Sequence, residues 1–572
     1  MSESSNQRTS FDLKRLILPA ILFLVALLIR LPGLTWGLKD DQHNQSLHPD
    51  EELNFRVSRA IEPAHLSFTP GFYNYGTLYL TAFRVASDFA FAYSGGSDHP
   101  DMDWDYIRKG ELAGRVVSML AGSLLCVVVF FAARRFTSDI GAMAAGLCMA
   151  VAPALVVHSR FATVDVFATL FVALAALYAL RLLVDENPQW VKCAILAGIC
   201  AGLSAGTKYT GGLAVLMPLA AIALRRPPKA LMLGAASALA AVLAFIVSTP
   251  GCLLDTAAFM RDFNYERVHS QTGQGMVFTG TLPGYLYHLD NLFLGMGFIL
   301  TLLGFGALVW AAVRKERWVW VLLAFALPYY ILIGRAEVKF MRYVFPVTLA
   351  LAAGVGYAVG EGHRLRKGYG ALVALGIFGI GGIGPGGLRG AWFFTSAMIG
   401  PDNRELVKPN LKKEGWEAPG EVLFDPDGKS ADVNVGLVSD PWFWSPTLYR
   451  DTALGRFIPA AIRKERLDAS AHPHAEVYTP FDGSEAKSYD PGLIAQQPEY
   501  IAYSDFELMY VERVSKMEHV PDDFIDDVAR YKEFRAALER DYKPDVQYGS
   551  SGDMVEDMRY VMPTVYVWIR KS

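Results

Sequence analysis

Long uncharged apolar runs constrain this chain more than anything else in it. Such runs fall at about 14–36, 112–133, 140–157, 162–183, 191–206, 210–224, 230–248, 288–313, 318–333, 343–360 and 369–395. A helix of roughly 20 apolar residues crosses a bilayer, and backbone groups in lipid must bond internally. The pattern therefore predicts an α-helical polytopic membrane protein of about eleven transmembrane helices. The composition agrees: 52% of the 572 residues are hydrophobic and 19% charged. A net charge of −4 argues against a nucleic-acid partner. The five cysteines show neither metal nor disulfide spacing and read as small core hydrophobes.

Lysine and arginine in the short loops set the expected orientation. Lys14-Arg15, Arg134-Arg135, Arg225-Arg226, Arg314-Lys315 and Arg364 with Arg366 and Lys367 fall on one side if the spans alternate. That side is expected to be the cytoplasm of an inner (plasma) membrane protein, with the N-terminus inside. The first run, Leu16–Ile29, carries no small-residue cleavage site and ends near Trp36, so it reads as an uncleaved first helix. The loops 37–111 and 249–287 and the tail after 396 are then extracytoplasmic.

The first outer loop predicts interfacial helices over Glu51–Ile61 and Leu78–Phe91, with Phe72, Tyr73, Tyr75 and Tyr79 as interfacial anchors. Ser94–Asp103 reads as a polar turn. The tail mixes strand-like runs, Val433–Val438, Tyr500–Tyr503 and Val565–Ile569, with a charged helical stretch over Asp522–Arg540. It is expected to be an α/β domain, 396–572, on a transmembrane catalytic domain, 1–395. The aromatic run Asp440–Pro446 reads as a packed cluster, with contact to an acceptor or the membrane as the other reading. No strict internal repeat is visible.

Two features stand out against this frame. Leu47-His48-Pro49-Asp50-Glu51-Glu52 places three acids just outside the first span. One reading is a solvated helix start, with Pro49 in the first turn and acids favouring the positive helix end. The other is a set of functional carboxylates. The second feature is basic groups at the outer helix ends: Arg115, Arg160, Lys208, Lys339 and Arg342, with Asp165 nearby in sequence. Singly, each reads as a structural ion pair or a snorkelling end, and Glu337 with Lys339 is an obvious local pair. Together they suit a cationic pocket at headgroup level for a lipid phosphate. Cations to hold a departing phosphate, beside a carboxylate to take a proton, fit glycosyl transfer from a lipid-phosphate sugar.

At these residues the chain resembles the GT-C superfamily of integral-membrane glycosyltransferases. It looks most like the phospholipid-carrier-dependent branch, related to protein O-mannosyltransferases and lipid A aminoarabinose transferases. The matching stretches are His48-Pro49-Asp50-Glu51, Arg115-x-x-Ser118, Ser159-Arg160-Phe161-Ala162-Thr163-Val164-Asp165, Thr207-Lys208-Tyr209-Thr210-Gly211 and Arg342-Tyr343-Val344-x-Pro346. The resemblance covers residues 1–360 and implies inversion at the sugar carbon, with a polyprenyl- or dolichyl-phosphate sugar as donor. The acceptor is left open between protein, lipid and cell-surface glycan. By resemblance, Asp50 is the general base, Glu51 orients it, and Asp165 borders the site. Arg115 and Lys208 bind the donor phosphate, with Arg342, Lys339 and Arg160 as further candidates and His48 and Tyr209 in support. One departure is Val166-Phe167 after Asp165, where relatives often carry a proline.

His43, His48 and Asp50 raise a divalent metal as an option, although their spacing is not a ligand pattern. A flippase for lipid-linked glycans is the alternative; it predicts two related halves and polar groups at the bilayer midplane. A non-catalytic scaffold explains the tail but not the placed charges.

Overall fold

The structure is a computed structural model. It describes residues 14–39, 46–94, 104–366 and 489–548, short pieces between 391 and 399, strands between 433 and 478, and most of 556–572. Among the described residues, five helices are long and apolar enough to span a bilayer: Asp105–Ala133, Val164–Val184, Ala230–Ser248, Arg317–Gly334 and Met341–Leu365. Shorter apolar helices cover Leu16–Arg30, Asp139–Val151, Trp190–Ala205 and Tyr209–Arg225. The chain is a polytopic, mainly helical membrane protein with a small C-terminal sheet. The expected run 288–313 is not one straight span: Gly284–Met296 and Phe298–Val313 meet at 114°. Gly297 makes that corner at φ 102°, a conformation that favours glycine. The run 369–395 lies almost wholly outside the described residues.

The helices that carry the site are α1 (Lys14–Arg30), α2 (Pro49–Arg59), α3 (Leu78–Ser94), α4 (Trp104–Ala133), α5 (Asp139–Val151), α6 (Pro153–His158), α7 (Val164–Val184) and α8 (Trp190–Ala205). Helix α8 packs on Ala230–Ser248 through Gly198 and Gly202. A Cβ at either would run into the carbonyl oxygens of Ser237 and Ala241. Small residues four apart let two backbones close up where no hydrophobic effect drives them together. Leu125, Val129, Met149, Val172 and Ala176 pack in the interior between α4, α5 and α7.

The first outer loop folds as two helices, α2 and α3, near the expected ranges. Two of the four expected interfacial anchors are interior instead, while Phe72 is half-buried and packs on Tyr75. Tyr73 and Tyr79 are fully buried, and the Tyr75 hydroxyl donates to Asn54 Oδ1. Tyr79 packs against Phe83 and Phe167 instead, because the loop has its own aromatic core with Phe55 and Tyr106. The expected turn after Ser94 falls outside the described residues.

Among the described residues of the tail, seven strands form one sheet in the order β2-β3-β4-β1-β5-β7-β6, where β2 is Leu448–Asp451, β3 Arg456–Pro459 and β6 Tyr542–Tyr548. β1 (Val433–Leu437), β5 (Tyr500–Ser504) and β7 (Val565–Arg570) coincide with the three expected runs. β1 pairs parallel with β4 (Ala475–Tyr478) and with β5; the other pairings are antiparallel. The helices Asp505–Ser515 and Ile525–Asp541 cover the sheet through Leu508, Val511, Phe534 and Leu538. Arg513 ties this region to the outer loops, donating to the carbonyls of Met276, Val277 and Thr279. The run Asp440–Pro446 lies outside the described residues.

Candidate active site

The acidic run begins a helix, as the first reading expects, although the start is not solvated throughout. Pro49 sits in the first turn of α2, and His48 caps it, its Nδ1 accepting the Asp50 N–H at 3.2 Å. An imidazole accepting at Nδ1 carries its proton on Nε2. Burial pushes the His48 pKa down to about 3, so the cap is neutral.

Successive helical residues point about 100° apart, so Asp50 and Glu51 go to different places. Glu51 turns inward and is completely buried. Its oxygens take Arg115 Nε and Nη2, both at 2.7 Å, the Ala162 N–H at 2.7 Å and the Ser46 hydroxyl at 3.1 Å. Arg115 gives its remaining terminal nitrogen to Leu34 O at 2.9 Å and Trp36 O at 2.6 Å. It is also completely buried and lies against the Phe161 ring. This corrects the expected roles of both residues. Arg115 has its guanidinium committed to α2 and the first loop and is not presented to a donor phosphate. Glu51 does not orient Asp50 directly; it fixes the helix that carries Asp50.

Asp50 turns outward and keeps 33% of its side-chain exposure. Arg342 Nη2 lies 3.3 Å from Asp50 Oδ2, and Arg342 Nε lies 3.8 Å from Asp165 Oδ2. Lys208 Nζ bonds the other oxygen of Asp165 at 2.5 Å. Four charged side chains thus run in a row: Asp50, Arg342, Asp165 and Lys208. Each comes from a helix end or turn, where a side chain can reach across. Asp165 occupies the first turn of α7, where the helix dipole favours an acid. Lys208 follows α8 in extended backbone, before the 3-10 turn Tyr209–Val215. Arg342 lies in the 3-10 turn Met341–Val344. Aromatic faces back the cations: Lys208 Nζ is 4.1 Å from the Tyr343 ring centre, and the Arg342 guanidinium is 4.1 Å from that of Phe340. A cleft beside them is lined by Asp165, Lys208, Thr210, Tyr329, Arg342 and Pro346.

Two further expected phosphate ligands are elsewhere. Arg160 is buried; it donates to the carbonyls of Ile29 and Arg30 and to Thr395 Oγ1, fastening α1 to the turn before α7. Lys339 is 4% exposed, bonds Thr281 Oγ1 and Leu282 O, and lies 3.4 Å from Glu337, the local pair expected from sequence. Tyr209 supports the site from behind: its hydroxyl donates to Tyr73 O at 2.7 Å, and its ring packs on Phe263. Among the described residues no three His, Cys, Asp or Glu side chains converge as a metal site, and His43 lies outside them.

Sequence reasoning missed Asn54, and it quoted Tyr343 only as part of a matching stretch, without its place behind Lys208. Asn54 lies one turn after Asp50 and donates to Ala162 O at 2.9 Å. A polar residue at that helical spacing from an acid was the available signal for it.

Residues 106–252 match the family described as dolichyl-phosphate-mannose-protein mannosyltransferase. None of the curated proteins matches the chain. In fold the chain is similar to the apo oligosaccharyltransferase of Archaeoglobus fulgidus, with 13% identity, 95% of this chain and 74% of that chain covered, and a TM-score of 0.49. It is also similar to apo ArnT from Cupriavidus metallidurans, at 15% identity, 97% of each chain and a TM-score of 0.48. The protein O-mannosyltransferase complex Pmt1-Pmt2 of S. cerevisiae, bound to its sugar donor, aligns with 47% of this chain and 36% of that chain, at 20% identity and a TM-score of 0.31. The family match spans the stretch that supplies Arg115, Asp165 and Lys208.

Proposed function

We propose that the protein transfers a sugar, with inversion, from a polyprenyl-phosphate donor to an acceptor hydroxyl on the extracytoplasmic face. The observation that carries this is Arg342 lying between Asp50 and Asp165, with Lys208 on the far oxygen of Asp165. Two cations at a helix-end cleft suit a lipid-borne phosphate, and the matched family's description names a dolichyl-phosphate sugar.

The chemistry follows from the order of charges. An arriving donor phosphate competes with the two carboxylates for Arg342 and Lys208. As Arg342 turns to the phosphate, Asp50 loses its cation and becomes the stronger base. Asp50 then takes the acceptor hydroxyl proton while that oxygen attacks the anomeric carbon. The carbon–oxygen bond to the phosphate breaks, and its electron pair leaves on the phosphate, where Lys208 and Arg342 hold the added negative charge. Asp165 keeps the two cations in place between turnovers. Donor binding and base release are thus the same event.

The loops 37–111 and 249–287 and the tail face outward in this reading, with the N-terminus cytoplasmic. Residues 1–395 are the catalytic unit and 396–572 an extracytoplasmic domain. The acceptor is a protein, lipid or surface glycan.

The test is the purified chain in liposomes with a radiolabelled polyprenyl-phosphate hexose. The expected result is release of free carrier phosphate with sugar recovered on acceptor or water. Labelled lipid crossing the bilayer with its sugar bond intact would instead make the protein a flippase.

A further inference from the structure

At the 3-10 turn Glu556–Val561 the tail reaches into the helical bundle. Tyr560 and Val561, the last two residues of that turn, are buried. They do not join the apolar core beside the sheet, where Leu508, Val511 and Phe534 lie. They belong to the core of the bundle, with Trp36, Leu47 and Phe161. The Tyr560 ring stands edge-on to His48, its centre 5.9 Å away at 88°, and lies 6.2 Å from Phe161. Phe161 is itself 4.7 Å from the His48 ring, and His158 meets that ring edge-on at 6.3 Å. Phe161, His158 and Tyr560 thus box the imidazole, the first two from the bundle and the third from the tail.

The segment that delivers Tyr560 is anchored in the tail. The Arg559 guanidinium pairs with Asp505, whose other oxygen accepts Thr564 N–H at 3.0 Å. Asp505 N–H donates to Thr564 O at 2.8 Å. Asp505 begins the helix that follows β5, and Thr564 precedes β7, so Tyr560 is tied to the sheet. Phe506, next on that helix, packs on Tyr560 at 6.3 Å.

The boxed imidazole carries the cap of the helix that bears the base. His48 Nδ1 accepts the Asp50 N–H at 3.2 Å, and His48 N–H donates to Ser46 Oγ at 3.3 Å. A capping side chain keeps its bond only while its χ angles are fixed, and an imidazole with one side open can turn. Asp50, which shares Arg342 with Asp165, would shift with it. The box also keeps water out. Burial lowers the His48 pKa to about 3, with Arg342 and Arg115 lowering it and Glu51 and Asp165 raising it. A protonated imidazole has no lone pair left for the Asp50 N–H.

We propose that Tyr560 is a positioning residue for the base: its ring, held by the tail, locks the imidazole that caps α2 and so sets Asp50. This rests on the glycosyl-transfer reading above. The reacting charges sit in residues 1–395, and the tail completes their support.

The test uses the full chain in liposomes with radiolabelled polyprenyl-phosphate hexose, reading release of carrier phosphate, with the Kd of polyprenyl phosphate measured beside it. Tyr560→Ala should lower kcat by ~10- to 100-fold, the cost of a displaced catalytic group, and leave that Kd within about twofold. Its kcat should gain an acid limb near pH 6.5, where a wetted His48 takes a proton; wild type should lack that limb. Tyr560→Phe keeps the ring and should restore most of kcat. His48→Asn puts a shorter cap in place of the imidazole, so adding Tyr560→Ala to it should cost less than about threefold and bring no acid limb. If Tyr560→Ala does not fold, Tyr560→Leu, which keeps apolar bulk in the box, takes its place with the same readings. Equal losses from the Tyr560 substitution with His48 or Asn at that position, or a wild-type kcat in Tyr560→Ala, would overturn the assignment while leaving the transfer reaction standing. A wild type that neither hydrolyses nor transfers would remove the reaction itself and this proposal with it.

Discussion

Asp50 and Glu51 are adjacent in sequence and opposite in environment. Each faces an arginine, but Glu51 meets Arg115 in a completely buried, two-pronged pair, and Asp50 meets Arg342 at the edge of an open cleft. Removing either partner of the buried pair strands a charge that water cannot reach, so that pair is a fixture. The outer pair is longer, at 3.3 Å, shared with Asp165, and 33% exposed on its acid side, so a competing anion can take it apart. A rotation of about 100° around α2 separates the residue that fixes the helix from the one proposed as the base. In the proposed mechanism the inner pair keeps α2 still and the outer pair breaks before the sugar is transferred.

Single substitutions separate the two pairs. The largest expected effect is on turnover. Asp50→Asn should lower kcat by ~10²- to 10⁴-fold, the usual worth of a general base, with an unchanged melting temperature. The steady-state rate of carrier-phosphate release, beside a thermal unfolding scan, reads both. Next comes stability: Arg115→Met should cost about 3–5 kcal/mol and lower the yield of folded protein, because Glu51 is left buried and alone. Denaturant unfolding in detergent measures it, and an Arg115→Met protein as stable as wild type would break the distinction. Donor affinity follows. Lys208→Ala should weaken binding of polyprenyl phosphate by ~10- to 100-fold in a direct binding titration, whereas Arg160→Lys and Lys339→Ala should leave donor affinity near wild type in whatever fraction folds.

The smallest effect concerns the cap. His48 takes a proton near pH 3 folded and near its ordinary 6.5 unfolded. Between those values the unfolded chain binds more protons, so the stability contributed by neutral His48 is present above pH 6.5 and is lost as pH falls. His48→Asn keeps an acceptor for Asp50 N–H and removes the titration. Wild type should therefore lose about 2 kcal/mol more than the variant between pH 7 and pH 5. Parallel unfolding curves for the two proteins would show that His48 is not held neutral.

The sequence revealed the frame of the molecule and only half of the site. Apolar runs placed the helices because lipid-facing and core-facing residues are both apolar, so span position follows from composition alone. The start of α2 was legible because Pro49 and three acids satisfy local rules of helix initiation. The same uniformity hid the bend at Gly297, where hydropathy runs on through the corner. Charge at a helix end did not say whether it faces the cleft: Arg115 closes on the buried Glu51 and two carbonyls and Arg160 on carbonyls, while Lys208 and Arg342 meet acids beside the cleft. The partner that decides between these lies 64 residues away for Arg115 and 43 for Lys208, beyond any local pattern.

The competition between Asp50 and the donor phosphate for Arg342 is tested most directly by the Kd of polyprenyl phosphate for wild type and Asp50→Asn, measured side by side. Neutralising Asp50 removes the competitor, so the variant should bind the phosphate as tightly as wild type or up to ~10-fold more tightly while turnover is lost. Weaker binding by Asp50→Asn, in protein that melts as wild type does, would contradict the exchange of partners on which the mechanism rests.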